Sequence, residues 1–187
     1  MLAFLDMDGV LTDFVGAACR AHGKSNPYDD AAAQGVWAME TLWGMSGKEF
    51  WAPCNGEGFW DRLEKTPEAD DIVKLITDTF GVENVALLTA PSMSGFCIPE
   101  KRLWIRRNYP QLEGGMIFTA AKKFLAGPDR LLIDDRDKNI EDFRLFGGKA
   151  VTVPRPWNRM HALSDKPLEV LYRVLGGLQE FLDESEG

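Results

Sequence analysis

Leu2-Ala3-Phe4-Leu5-Asp6-Met7-Asp8-Gly9-Val10-Leu11-Thr12 decides how this chain is read. Leu2–Leu5 is a short apolar run of the kind a buried strand needs, and it stops abruptly at two carboxylates with one residue between them. Along an extended chain, residues i and i+2 point to the same side. Asp6 and Asp8 would therefore crowd negative charge into one small space. Like charges that close disfavour each other's ionised form, and a hard divalent cation with oxygen ligands removes the penalty. The plainer reading makes Asp8-Gly9 a turn and Asp6 a helix cap. The first strand alone does not choose between the two.

Four more apolar runs read as buried strands: Val85–Leu88, Met116–Phe118, Leu131–Ile133 and Ala150–Val153. None alternates with polar residues, as expected of a parallel sheet covered on both faces. Helical patterns fall at Pro67–Phe80, Pro99–Asn108, Asp137–Phe146 and Lys166–Leu182, the last with a weak point at Gly176-Gly177. Strands alternating with helices give right-handed βαβ units and a three-layer αβα sandwich around a central parallel sheet. Residues 15–63 break the rhythm. They form too long a connection for such a fold and carry four of the six tryptophans. The expected division is an α/β core of residues 1–14 and 64–187, with 15–63 as a small helical cap inserted after strand one.

Ligands of open α/β sheets sit beyond the carboxyl ends of the strands. Asp6 and Asp8 follow the first strand, Thr89 and Ala90 the second, Lys122 and Lys123 the third, and Asp134-Asp135-Arg136 the fourth. Each has a structural reading of its own. Asp134-Asp135 can cap the next helix, Lys122 can be a solvated surface cation, and Thr89 can be a β-branched strand residue. All must hold together to defeat a catalytic reading. The chemistry such a set serves is phosphoryl transfer. One carboxylate attacks phosphorus, a second exchanges protons, and a cation, a lysine and a hydroxyl hold the phosphate oxygens.

Asp6-Met7-Asp8-Gly9-Val10-Leu11-Thr12-Asp13, the run ending in Thr89, Lys122 and Leu131-Leu132-Ile133-Asp134-Asp135-Arg136 resemble the four motifs of the haloacid dehalogenase superfamily. Thr89-Ala90-Pro91, Cys97-Ile98-Pro99-Glu100-Lys101 and Trp104 extend the likeness to the 5′(3′)-deoxyribonucleotidases, over most of residues 1–158. The resemblance implies that Asp6 is the nucleophile and Asp8 the general acid and base. It implies Mg²⁺ on Asp6, the main-chain carbonyl of Asp8 and Asp135, with Asp134 in support. Thr89, Ala90 and Lys122 would hold the phosphate, although Ala90 stands where these enzymes often carry Ser. The lengthened stretch after Lys123 leaves the choice between Lys122 and Lys123 open. Gly35-Val36-Trp37 and Gly58-Phe59-Trp60 resemble the flanks of a base pocket, which places Phe14, Trp37 and Trp60 against a nucleobase. Stacking on such rings is worth roughly 1–3 kcal/mol; the competing role for the same rings is the core of the cap. Arg136 is expected to contact substrate. Pro154-Arg155-Pro156-Trp157-Asn158 either borders the site or is a rigid loop.

Composition narrows the function classes. A net charge of −8 argues against gripping polymeric nucleic acid but allows a small phosphorylated substrate. No apolar run reaches the roughly 18 residues of a membrane span. The first strand begins almost at Met1, so neither a secretory signal nor a transit peptide is expected. Cys19, Cys54 and Cys97 are odd in number and irregularly spaced, which fits buried thiols in a reducing cytoplasm. His22 and His161 have no ligand-like spacing.

The leading expectation is a Mg²⁺-dependent phosphomonoesterase acting on nucleoside or deoxynucleoside monophosphates. One alternative keeps the chemistry and changes the substrate, for example to a sugar phosphate. Another is a catalytically silent binding protein, which predicts loss of Asp6 or Asp8; both are present. A receiver-like protein gives no reason for the aromatic insertion. Self-association is left open.

Overall fold

A computed structural model describes residues 1–185. Its sheet has five strands, β1 (Leu2–Leu5), β2 (Val85–Thr89), β3 (Met116–Phe118), β4 (Arg130–Asp134) and β5 (Lys149–Thr152). All neighbours are parallel, in the order β3-β2-β1-β4-β5. The chain winds outward from β1 in one direction through β2 and β3, then returns to start again at β4. The crevice between β1 and β4 is thus the topological switch point, where open sheets bind ligands. Leu5 pairs with Ile133 there, which sets Asp6 beside Asp134.

The helices α1 (Phe14–His22), α2 (Met39–Leu42), α3 (Gly47–Cys54), α4 (Ala69–Phe80), α5 (Cys97–Asn108), α6 (Asp137–Leu145) and α7 (Pro167–Ser185) lie between and around the strands. One face of the sheet buries Ala3, Leu5, Leu87, Leu131 and Ile133 with Ile72 and Ile76 of α4, Trp104 and Ile105 of α5, and Leu171 and Leu175 of α7. The other buries Phe4, Leu88 and Leu132 with Ile140 and Phe143 of α6. Residues facing opposite ways along each strand are apolar on both sides, hence the unbroken apolar runs.

Helix boundaries differ from expectation for local reasons. Helix α5 begins two residues before Pro99, because a first-turn residue needs no backbone N–H for the helix. Helix α4 begins at Ala69 rather than Pro67, and α7 runs through Gly176-Gly177 without interruption.

Residues 14–63 leave the sheet. Helices α1, α2 and α3 and two single turns at Pro27–Asp29 and Ala31–Ala33 bury Val15, Ala18, Tyr28, Met39, Phe50 and Cys54 in an apolar cluster of their own. Asp13 caps α1 through the Gly16 N–H, and Ser46 with Glu49 forms a capping box on α3. These short helices take their ends from local hydrogen bonds because few residues are available to propagate them. Helix α1 starts at Phe14, one residue before the expected insertion.

Candidate active site

The loop after β1 is wound tightly. The N–H groups of Leu11 and Thr12 both donate to the Met7 carbonyl, at 2.8 and 3.0 Å, and that of Gly9 donates to Thr12 at 2.8 Å. Gly9 has φ +77°, and a Cβ on it would lie 2.1 Å from Asp135 Oδ2. Only glycine lets this backbone pass so close to the carboxylate. Arg155 clamps the loop from behind, donating to the Gly9 carbonyl at 2.5 Å and pairing with Glu68.

Asp6 is buried at the switch point. Lys122, from the turn Lys122–Leu125 after β3, places its ammonium 2.8 Å from Asp6 and 2.6 Å from Asp134. Lys123 points instead toward Phe124 and Phe146 at the surface. The choice between the two lysines is therefore made by the fold. Burial pushes the Asp6 carboxyl up to about 7; Lys122 opposes the rise, while Asp134 and Asp8 add to it. Burial alone would lower the Lys122 ammonium, but Asp134 and Asp6 overcome it and hold the lysine charged.

Asp134 is fully buried and saturated. It accepts from Lys122, from the Arg136 N–H at 2.8 Å and from Asn139 at 3.1 and 3.0 Å. Asp135 differs. Its Oδ2 accepts from the Trp157 indole, whereas its buried Oδ1 has no protein partner. Burial, followed by Asp134 and Asp6, drives its carboxyl well above the usual range. One oxygen from each of Asp6, Asp134 and Asp135 lies within 4.8 Å of the others. A buried carboxylate oxygen without a donor, in a cluster of three acids, has the chemistry of an oxygen-ligand cation site.

Asp8 stands at the mouth and accepts from Thr12 at 3.2 Å and from Lys101. Lys101 also donates to Thr89 Oγ1 at 2.8 Å and to the Ala90 carbonyl at 2.9 Å. Thr89 is fully buried behind Ala90, and Ala90, not Thr89, lines the cavity.

Above the acids opens a cavity of about 720 Å³, lined by Asp6, Asp8, Ala90, Lys122, Asp135 and Arg136 below and by Phe14, Trp37, Trp51 and Trp60 from residues 14–63. The expected aromatic residues divide. Trp60 is 2% exposed and stacks on Phe14 at 5.8 Å, with its backbone N–H bound to Glu100. Trp37 is 44% exposed, and the Arg136 guanidinium lies 5.0 Å from its ring centre. The structure thus brings all the expected residues to one place except Thr89 and Asp134, which lie just behind the cavity wall.

Sequence reading assigns no site role to Lys101 or Trp51. It offers the loop 154–158, with Trp157, only as one that either borders the site or is a rigid loop; the structure puts Trp157 on the site. Trp51 follows Phe50 on α3, and nothing local separates a lining ring from a core ring. Lys101 lies in the middle of an ordinary helix pattern. Its only signal was its place in the Cys97–Lys101 stretch.

The strand order, with acids of β1 and β4 at the switch point and a lysine from beyond β3, defines a haloacid dehalogenase-like α/β fold. Residues 1–165 match the family described as 5′ nucleotidase, deoxy (Pyrimidine), cytosolic type C protein. The chain belongs to that family, and it is a phosphoric monoester hydrolase. It is 26% identical to the human cytosolic-type 5′(3′)-deoxyribonucleotidase over 94% of this chain and 95% of that protein. It is 30% identical to the mouse mitochondrial 5′(3′)-deoxyribonucleotidase over 71% of this chain, a match that spans 63% of the mouse protein. Among solved structures, a dehalogenase superposes with a TM-score of 0.49 at 13% identity, covering 82% of this chain and 84% of the other. Among the described residues, no helix is long and apolar enough to cross a membrane.

Proposed function

We propose that this chain hydrolyses nucleoside or deoxynucleoside monophosphates, with Mg²⁺, through an aspartyl-phosphate on Asp6. The observation that carries the reading is Asp6 at the floor of an aromatic-walled cavity, 2.8 Å from the Lys122 ammonium and beside the unpartnered oxygen of Asp135. Family membership supports it.

Asp6 and Asp135, with the main-chain carbonyl of Asp8, would hold Mg²⁺, and Asp134, itself held by Asn139, would brace Asp6 through Lys122. When bound, the cation supplies charge to offset that of the phosphate and the acids. The Asp6 carboxylate attacks phosphorus, the phosphorus–ester bond breaks, and the leaving oxygen takes a proton from Asp8. Asp8 then removes a proton from water, which attacks the aspartyl-phosphate and releases inorganic phosphate and free Asp6. Lys122 neutralises the equatorial oxygens throughout. Trp37 and Phe14 offer flat faces to a base, and Arg136 braces Trp37 from the core side. Glu40, Lys48, Asn55 and Ser92 also line this cavity; the aromatic rings, together with the family, favour a base over a sugar phosphate.

A cytoplasmic location is part of the proposal, supported by three buried free thiols. The deciding experiment is phosphate release from a panel of phosphomonoesters, with Mg²⁺ and with chelator. Preference for nucleotides with loss of turnover in chelator is expected; equal rates on sugar phosphates would overturn the substrate assignment.

A further inference from the structure

Asp135 is held from a loop that lies outside the four motifs. Trp157, in the loop after β5, donates its indole N–H to Asp135 Oδ2 at 2.6 Å. The next residue, Asn158, is fully buried and donates to the main-chain carbonyl of Asp135 at 2.8 Å and to that of Val153 at 2.8 Å. Its side-chain oxygen Oδ1 accepts from the N–H groups of Arg155 at 3.3 Å and Met160 at 3.0 Å. One loop therefore grips both the side chain and the backbone of Asp135.

The grip has a chemical consequence. A carboxylate free to rotate about its χ2 torsion presents either oxygen to a cation. With the indole on Oδ2, only Oδ1 is left, and it is the oxygen with no protein partner. Gly9 makes the arrangement possible. A Cβ there would meet Trp157 at 3.1 Å as well as the carboxylate. Tyr28, from the segment above, packs on the indole at 5.5 Å and is itself tied by its hydroxyl to the Val36 carbonyl at 2.9 Å.

We propose that Trp157 is the positioning residue of the cation site: its N–H fixes Asp135 so that Oδ1 alone faces the ion. The inference rests on the cation site of the proposed function. It does not depend on which phosphate ester is the substrate. Partners that orient a metal ligand typically change metal affinity by about 10–100-fold when removed.

The test uses the full chain and Mn²⁺ as probe, followed by the electron paramagnetic resonance signal of the free ion and by its displacement with Mg²⁺. Two variants are compared with wild type. Trp157→Phe keeps a ring and loses the donor. Benzothienylalanine placed at position 157 keeps the size of indole and replaces N–H with sulfur, which removes the hydrogen bond with little change in packing. Both are expected to weaken Mn²⁺ and Mg²⁺ binding about 10–100-fold, while the melting temperature of the benzothienyl form in EDTA stays that of wild type. Wild-type affinity in the folded benzothienyl form would overturn the role of Trp157 and leave the nucleotidase reading intact. Failure of wild type to bind either ion would overturn both the cation site and this role.

Discussion

Lys101 pairs its ammonium with the carboxylate of Asp8 although 93 residues separate them. The lysine is fully buried. Its other donors go to Thr89 and Ala90, and its charge lies 4.7 Å from the Trp60 ring centre. An ammonium has three protons, and all three have partners here. Helix α5 therefore sets where Asp8 stands. Lys101→Met should lower kcat by up to the 10²–10⁴-fold typical of a lost proton-transfer group, with KM little changed. In an Asp8→Asn background the same change should add little, because the group it positions is already gone. Steady-state kinetics on the two single variants and the double variant check this, with circular dichroism to confirm folding. Wild-type kcat in Lys101→Met would mean that Asp8 needs no such support.

The two leading acids should separate chemically. Asp6→Asn removes the attacking oxygen and should abolish turnover together with any acid-stable, alkali-labile phosphoenzyme. Asp8→Asn keeps the nucleophile and should slow turnover about 10²–10⁴-fold. Rapid acid quench with labelled substrate distinguishes them. Near-normal turnover by Asp6→Asn would rule out the covalent route.

Asp135 Oδ1 is buried without a partner, and the acids around it are expensive to ionise together. EDTA should remove phosphatase activity and Mg²⁺ should restore it. Asp135→Asn should raise the Mg²⁺ concentration for half-maximal rate by more than tenfold. Full activity in metal-free buffer would contradict the cation site.

Trp37 and Trp60 should behave oppositely. Trp37 is 44% exposed, so Trp37→Ala should leave the melting temperature nearly unchanged. It should raise KM for a nucleotide by about 5–150-fold, the equivalent of a stacking loss of roughly 1–3 kcal/mol, and leave p-nitrophenyl phosphate unaffected. Trp60 is 2% exposed, and Trp60→Ala should destabilise the fold by about 3–5 kcal/mol. Equal KM changes on both substrates would make Trp37 a structural residue.

Glu113 gives a pH test away from the site. Hydrogen bonds from Arg106 and Arg102 hold its carboxyl at about 2. A carboxyl held below its unfolded value, about 4.3, stabilises the fold above that value. This contribution fades as pH falls toward 2. Glu113→Gln should lower the melting temperature at pH 7 by at most about 2–4 °C, since such surface pairs contribute little. The deficit should shrink by pH 3.5. Scanning calorimetry at the two pH values checks the sign; a deficit that grows on acidification would contradict it.

The strands were legible in the sequence because a sheet buried on both faces demands unbroken apolar runs, and the acids were legible because each follows such a run directly. Asp6, Asp134 and Asp135 needed only the rule that strand ends gather at one edge. The core side of the site is thus written locally. The rest depended on long-range closure. Nothing near Lys122 distinguishes it from Lys123; the turn after β3 buries one beside Asp6 and leaves the other outside. The stretches that hold Lys101 and Trp157 stand out in the sequence, but nothing local assigns either residue its partner: Asp8 and Asp135 lie 93 and 22 residues away. The aromatic residues of positions 14–63 show the same limit. Their abundance announced an aromatic element above the strands, but whether a given ring is almost wholly buried at the cavity wall, as Trp60 is, or stands open to solvent there, as Trp37 does, depends on how short helices pack together. A local pattern records what a residue needs from its neighbours in the chain. The partners of a buried charge or ring are chosen only when distant segments close around it.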